Sequence, residues 1–152
     1  MRHYKRILCP VDFSSFAKFA LTEGVRLAES LGSELCVLHA YQNPAYLLPM
    51  AGYVGPAGDV VAQVRKQLGE ELEDLVAEHR KRGLKVQTVV LEGVPYKTIV
   101  DYANEWGADL IAMGTHGRTG ISHVLAGSVT ERVVRLARCS VLVARAPHGV
   151  TP

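Results

Sequence analysis

Continuously apolar runs and amphipathic stretches alternate along this chain of 152 residues. The apolar runs predict buried strands at residues 7–11, 35–41, 84–91, 110–113 and 141–144. Between them, apolar residues recur every three or four positions, which predicts amphipathic helices over 14–31, 60–82 and 96–106 and from about Ser128. Buried strands that alternate with helices are typical of a parallel sheet covered on both faces. The pattern therefore predicts an α/β fold, a Rossmann-like open parallel five-stranded sheet with helices on both faces.

Glycine and basic residues mark the expected helix ends. Gly32 and Gly83 each follow a helical stretch, where glycine is a favoured C-terminal residue. The basic residues 80–82 precede Gly83, and cations suit the C-terminal end of the helix dipole. Residues 43–59 contain several Pro and Gly and predict a long loop. Its apolar side chains indicate either a lid or partner surface, or packing of the loop on its own domain. They are Tyr46, Leu47, Leu48, Met50 and Tyr53.

Composition narrows the class of protein. The chain is 48% hydrophobic and 21% charged, which is ordinary for a soluble globular domain. It has no apolar run of the ~20 residues that a membrane span needs, and no signal-peptide pattern at its start. A net charge of +2 without a long basic run argues against nucleic-acid binding. We expect one domain over residues 1–148, a short tail at 149–152, a cytoplasmic location, and neither nucleic acid nor membrane as partner.

Neither the cysteines nor the histidines predict a metal site. The three cysteines show no C-x-x-C spacing, and Cys9 and Cys36 fall inside predicted strands, which favours reduced core residues. His116 and His123 lie seven residues apart in a glycine-rich stretch without a neighbouring carboxylate or thiol, a poor ligand set. His39 falls within the second predicted strand, where we expect a hydrogen-bonded buried histidine.

A glycine-rich stretch between the fourth predicted strand and the helix at Ser128 predicts an anion site. Glycines allow backbone N–H groups to approach a phosphate, and the helix N-terminus adds positive partial charge and hydroxyl donors. For Arg118, bidentate binding of a γ-phosphate and a solvated loop position are both open. The candidate phosphate-site residues are Met113, Gly114, Gly117, Arg118, Gly127, Ser128, Val129 and Thr130.

Motifs for rapid nucleotide chemistry are absent from the sequence. It contains no G-x-x-x-x-G-K-[ST] P-loop, no G-x-G-x-x-G dinucleotide fingerprint and no nucleophile elbow. The residues therefore support nucleotide binding and place no general base or nucleophile for turnover.

Ordered sequence blocks identify a family resemblance. Gly114, Gly117 and Gly127-Ser128 have the spacing Gly-x2-Gly-x9-Gly-Ser, and three strand-like blocks cover residues 6–14, 35–40 and 139–144. Together they resemble the ATP-binding branch of the universal stress protein family, over residues 2 to about 146. The resemblance implies strand order 3-2-1-4-5. Ligands of such sheets bind where the winding direction reverses, between the first and fourth strands, so Asp12 and Gly114 are expected on the two sides of one crevice.

The resemblance also implies the ligand and its remaining contacts. Adenosine is expected against Pro10, Val11, Asp12 and the backbone of Ala40. From the residues alone, Asp12 is also a candidate cap for the first helix, because Ser14 and Ser15 follow it. The ligand would be ATP, with Mg²⁺ as its usual companion.

The resemblance further implies a homodimer through the last strand, from Val141 to Ala144, a sheet edge that needs covering. The expected function is a nucleotide-dependent switch or partner-binding module in the stress response, with an unidentified protein partner. One alternative is slow ATP hydrolysis or autophosphorylation, with Ser122 or Ser128 as the residue that is modified. A second is a hydrolase or adenylyl-transferring enzyme on the same fold, for which Asp12, His116 and His123 are the candidate catalytic groups. A third is a nucleotide-free protein-interaction module that uses residues 43–59.

Overall fold

The computed structural model describes residues 4–43, 55–115 and 128–145, and these residues form one twisted sheet with helices on both sides. The elements in chain order are β1 (Arg6–Pro10), α1 (Ser15–Leu31), β2 (Glu34–Tyr41), α2 (Ala57–Lys81), β3 (Val86–Glu92), α3 (Pro95–Trp106), β4 (Leu110–Gly114), α4 (Ser128–Leu136) and β5 (Ser140–Ala144). All strand pairs are parallel, in the order β3-β2-β1-β4-β5. The predicted α/β fold and strand order are confirmed.

Two hydrophobic cores separate the sheet from its helices. On one face, Ile7 and Val37 of the sheet pack with residues of α1 and with Leu72 of α2. On the other face, Leu8 and Ile111 pack with residues of α3 and α4. Because successive strand residues point to opposite faces, β1, β2 and β4 are buried on both sides, and β3 and β5 form half-buried edges.

The helix ends follow capping chemistry, with one correction to the expected boundaries. Ser14 caps α1, and Gly32 ends it in the left-handed conformation at φ 67°, as predicted. Gly83 also has positive φ, at 92°, one residue beyond Arg82. The start of α2 differs: it begins at Ala57, so the predicted loop at 43–59 is too long at its C-terminal end. Pro56, with φ −67°, sets a backbone angle that suits entry into a helix.

The apolar residues Tyr46, Leu47, Leu48, Met50 and Tyr53 lie outside the described residues, so both interpretations of that loop stay predictions. Within the described part of the chain, no helix is both long and apolar enough to span a membrane.

Cys9 and Cys36 occupy the two cores, as the sequence predicted. Both are fully buried and form no disulfide, and burial raises the pKa of each thiol above its ordinary value. Cys9 also explains the glycine in the middle of α1. A methyl group at Gly24 would lie 2.3 Å from the Cys9 sulfur, so glycine allows the close approach of α1 to β1.

Candidate functional site

The candidate site lies at the carboxyl ends of β1 and β4, where the winding of the sheet reverses. From β1 the chain builds outward to β2 and β3, and then returns through α3 to place β4 on the other side of β1. Asp12 follows β1, and Gly114 is the last residue of β4. Since β1 and β4 are parallel neighbours, Asp12 and Gly114 lie at the same edge of the sheet, where a reversal of winding leaves a crevice.

Backbone and side-chain hydrogen bonds hold the β1 side of the crevice. The N–H of Val11 donates to the carbonyl oxygen of Leu38 at 2.8 Å. The carbonyl oxygen of Val11 lies 2.7 Å from Nδ1 of His39, a side chain that is 6% exposed. Because a carbonyl oxygen only accepts, Nδ1 of His39 carries the proton and donates. His39 is therefore the hydrogen-bonded buried histidine that the sequence predicted, and it anchors the residue before Asp12.

Ser14 orients the carboxylate of Asp12. Oδ1 of Asp12 accepts from the backbone N–H of Ser14 at 3.1 Å and from the Ser14 hydroxyl at 2.6 Å. The Ser14 oxygen in turn accepts from the N–H of Ala17 at 3.2 Å, which makes Ser14 the N-cap of α1. The capping role considered for Asp12 is thus wrong, since the serine two residues later performs it.

A strained residue follows Asp12. Phe13 has φ 66°, a left-handed conformation that costs a bulky L-residue about 1–2 kcal/mol. Its ring centroid lies 4.6 Å from that of His39. Sequence reasoning missed Phe13, because no local pattern marks a phenylalanine for positive φ. The turn lets the chain leave β1 and enter α1 immediately beside the crevice.

A buried threonine ties α4 to the end of β4. The hydroxyl of Thr130 donates to the carbonyl oxygen of Gly114 at 2.9 Å, and Thr130 is 4% exposed. The N–H of Thr115 donates to the carbonyl oxygen of Ala144 at 3.3 Å, which links the ends of β4 and β5. Thr115, 6% exposed, was also missed by sequence reasoning, although it directly follows Gly114. The first turn of α4 is therefore fixed against the carboxyl end of β4.

The structure places most of the predicted site residues at this end of the sheet. Met113 and Gly114 are buried, Ala40 and Val129 are half-buried, and Ser128 is exposed. Pro10 and Val11 are buried beneath Asp12. Gly117, Arg118 and Gly127 lie outside the described residues, as do Ser122, His116 and His123. The described residues thus provide a carboxylate on one side of the crevice and a helix N-terminus on the other.

Metal-ligating residues do not cluster in the described part of the chain. Within residues 4–43, 55–115 and 128–145, no three His, Cys, Asp or Glu side chains are grouped so that they could hold an ion. Mg²⁺ that accompanies a nucleotide commonly takes its ligands from phosphate oxygens and water, so it does not require such a cluster.

Known proteins resemble this sequence over nearly its whole length. Universal stress protein MJ0531 of Methanocaldococcus jannaschii is 35% identical over 146 residues, which cover 95% of this chain and 84% of that protein. Universal stress protein MJ0577 of the same organism is 32% identical over 154 residues, which cover 93% of this chain and 95% of that protein.

Solved structures agree with the sequence relatives. The structure of hypothetical protein MJ0577 matches with a TM-score of 0.83 at 28% identity, over 97% of this chain and 100% of that one. The universal stress protein from Archaeoglobus fulgidus in complex with dAMP has the same fold, with a TM-score of 0.63 at 24% identity over 93% of this chain and 98% of that one. The model of the universal stress protein family matches residues 3–145. With that match spanning nearly all of its length, the chain belongs to the universal stress protein family.

Proposed function

We propose that this chain binds ATP, with Mg²⁺, in the crevice between β1 and β4, and acts as a nucleotide-dependent switch or partner-binding module in the stress response. The observation that carries the proposal is the hydrogen bond from Thr130 to the carbonyl oxygen of Gly114. It fixes the N-terminal turn of α4 at the reversal point of the sheet, opposite Asp12. A helix N-terminus offers unpaired N–H groups and positive partial charge to a phosphate.

The phosphates would lie at the start of α4. Ser128, the first residue of α4, is exposed, and its hydroxyl and the N–H groups of the first turn can donate to phosphate oxygens. Gly117, Arg118 and Gly127 belong to the same proposed site through the sequence resemblance. Mg²⁺ would be held by phosphate oxygens and water, and would neutralise part of the phosphate charge.

The adenosine would lie on the β1 and β2 side. The Asp12 carboxylate, oriented by Ser14, is an acceptor suited to ribose hydroxyls. Ala40 lies near the carboxyl end of β2, where its backbone can pair with the adenine edge. The dAMP complex of the Archaeoglobus fulgidus protein supports an adenine nucleotide as the ligand class for a protein of this fold.

We also propose a homodimer through β5. This strand is one edge of the sheet, and Val143 within it is 37% exposed. Val134 and Leu136, on the helix that precedes β5, are 50% and 52% exposed. An exposed edge strand beside apolar side chains is a surface that proteins cover, and pairing with a second copy across a two-fold axis would cover it.

Calorimetric titration of nucleotide-stripped protein tests the nucleotide proposal. We expect Mg-ATP to bind at least ~10-fold more tightly than AMP, because charge-assisted hydrogen bonds from α4 reach the additional phosphates. Ser128→Ala should weaken binding of ATP and leave that of AMP nearly unchanged. Ser30→Ala, at an exposed serine of α1, is the matched control.

Equal affinity for ATP and AMP would contradict the proposal that the additional phosphates of ATP bind at the N-terminus of α4. Absence of binding to both would contradict the nucleotide proposal and favour a protein-interaction module in which the glycines only shape a turn.

A further inference from the structure

A second cleft lies one strand away from the crevice, between the carboxyl ends of β2 and β3 and the first half of α2. Its volume is about 770 Å³, within the range of small-molecule sites. It is lined by Tyr41, Asn43, Gly58, Val61, Ala62, Arg65, Lys66, Gly69 and Glu92. None of these residues belongs to the proposed nucleotide site.

The floor of the cleft carries a tyrosine hydroxyl that no described residue pairs with. Tyr41 and Glu92 are register partners in β2 and β3, so their side chains leave the same face of the sheet. That face is the one covered by α2, because Leu35 and Val37 of the same strand pack with Leu72 and Val76. Tyr41 is only 9% exposed, and among the described residues its hydroxyl has no hydrogen-bond partner.

The hydroxyl of a largely buried tyrosine normally finds a partner. No side-chain polar atom of the described residues is both sealed from solvent and unpaired, so the Tyr41 hydroxyl keeps contact with solvent, and Tyr41 lines the cleft. It is therefore oriented toward a group that would enter from solvent.

The first half of α2 lies over the cleft and contributes no buried side chain to the core. From residue 58 to residue 71 no side chain is buried, and the buried residues of α2, Leu72 and Val76, come later. A methyl group placed at Gly58 or Gly69 would meet no atom within 4 Å. This side of α2 is therefore open for a ligand to approach the helix closely.

Two of the three charged residues that line the cleft have no side-chain partner among the described residues. Lys66 pairs with Glu70 at 3.8 Å on the helix surface. By contrast, neither Arg65 nor Glu92 makes an ion pair or hydrogen bond through its side chain within the described ranges. A guanidinium binds carboxylate or phosphate through two parallel hydrogen bonds, and a carboxylate accepts from hydroxyl or amino groups.

We propose that this cleft binds a small organic anion, whose carboxylate or phosphate is held by Arg65 and Tyr41 and whose hydroxyl or amino donor is held by Glu92. The ligand differs from the nucleotide, and the proposal does not depend on nucleotide binding. Tyr41 directly follows Ala40 in β2, so a ligand in this cleft would contact the end of the same strand that borders the nucleotide crevice.

Titration calorimetry of the full chain with two probes tests the proposal: glycerol 3-phosphate represents a phosphate source and L-glutamate a carboxylate source. We expect one of them to bind. Arg65→Gln should weaken the affinity for that probe about 10-fold or more, and Tyr41→Phe should weaken it about 2- to 10-fold. Tyr41→Phe should leave Tm unchanged, because the hydroxyl stabilises no contact within the fold. Arg26→Gln, at an exposed arginine of α1, is the matched control and should bind normally.

Competition separates this cleft from the nucleotide site. With saturating Mg-ATP present, the probe should still bind. If neither probe binds at millimolar concentration, or Arg65→Gln binds as the unmodified chain does, the proposal is wrong. It is equally wrong if ATP displaces the probe. It is also wrong if Ser128→Ala weakens binding of the probe and Arg65→Gln does not, since the anion then binds at α4. A chain that binds the probe but not ATP would contradict only the nucleotide proposal.

Discussion

Individual hydrogen bonds position the groups on both sides of the crevice. On the β1 side, His39 donates to the carbonyl of Val11, and Ser14 holds the carboxylate of Asp12. On the β4 side, the Thr130 hydroxyl satisfies the buried carbonyl of Gly114. A buried carbonyl that loses its partner costs about 1–3 kcal/mol, so each of these bonds couples the geometry of the site to the stability of the fold.

Thr130→Val tests that coupling. Valine keeps the shape of threonine but leaves the carbonyl of Gly114 unpaired, so we expect a loss of about 1–3 kcal/mol in the free energy of unfolding. Binding of Mg-ATP should weaken as well, because the first turn of α4 loses its tie to β4. Thermal denaturation and calorimetry measure the two effects.

Thr22→Val is the control, since the exposed Thr22 hydroxyl also donates to a helix carbonyl, that of Lys18, at 3.0 Å. Thr22→Val should change the free energy of unfolding by no more than about 0.5 kcal/mol. Equal losses in the two variants would show that the bond to Gly114 has no special role.

At the scale of elements, α2 covers the open edge of β3. The N–H of Leu35 donates to the carbonyl oxygen of Lys85, so the next carbonyl, of Val86, points away from β2. Nε and Nη2 of Arg80 lie 3.4 and 3.3 Å from that oxygen. Glu73 joins Arg80 to the hydroxyl of Thr88 in the same strand. A cation on an edge carbonyl hinders pairing with another strand, which helps to leave β5 as the edge open for association.

Arg80→Ala should lower Tm slightly at neutral pH and increase light scattering on heating, because the β3 edge loses its cover. Hydrogen bonds from Arg80 and Thr88 hold the pKa of the Glu73 carboxyl below its ordinary value of 4.5. A lowered pKa in the folded state stabilises above the unfolded pKa, and this contribution disappears as pH falls through the folded pKa. The difference in Tm between the unmodified chain and Arg80→Ala should therefore become smaller below about pH 4.

Arg26→Ala is the comparison, because Glu23 on the same helix, at 2.8 Å, is the one ion-pair partner of Arg26 among the described residues. It should change neither scattering nor its pH dependence. If Arg80→Ala lowers Tm by the same amount at every pH, the cause is lost packing of the arginine side chain and not the interaction with Glu73.

For the whole molecule, the two edges of the sheet differ in how well they are covered. β3 is packed against α2 and held by Arg80. The β5 edge presents Val143 and lies next to the exposed apolar residues of α4. If the chain dimerises, this asymmetry selects β5, and places the two proposed nucleotide sites on one assembly.

Val143→Glu should convert the proposed dimer to a monomer, because a carboxylate would be buried without a partner at the strand pair. Sedimentation velocity at micromolar concentration measures the change. Val94→Glu serves as the control, since Val94 is 44% exposed but lies at the start of α3. A dimer that survives Val143→Glu, or an unmodified chain that is monomeric, would contradict pairing through β5.

The alternation of strands and helices, the left-handed glycine after α1 and the glycine stretch after β4 could all be predicted from the sequence. Each depends on residues a few positions apart, where side-chain periodicity and backbone sterics act locally. The strand order came from the family resemblance, since spacing alone does not choose among parallel topologies.

Tertiary structure decided how distant residues combine. It gave the helix cap to Ser14 rather than Asp12, placed His39 on the carbonyl of Val11, and joined Thr130 to Gly114 across 16 positions. It also brought Tyr41 beside Glu92 below Arg65, three residues that no sequence pattern connects. Such contacts depend on how the sheet twists and how both cores pack together, so they are set by the sum of long-range interactions and not by any local run of residues.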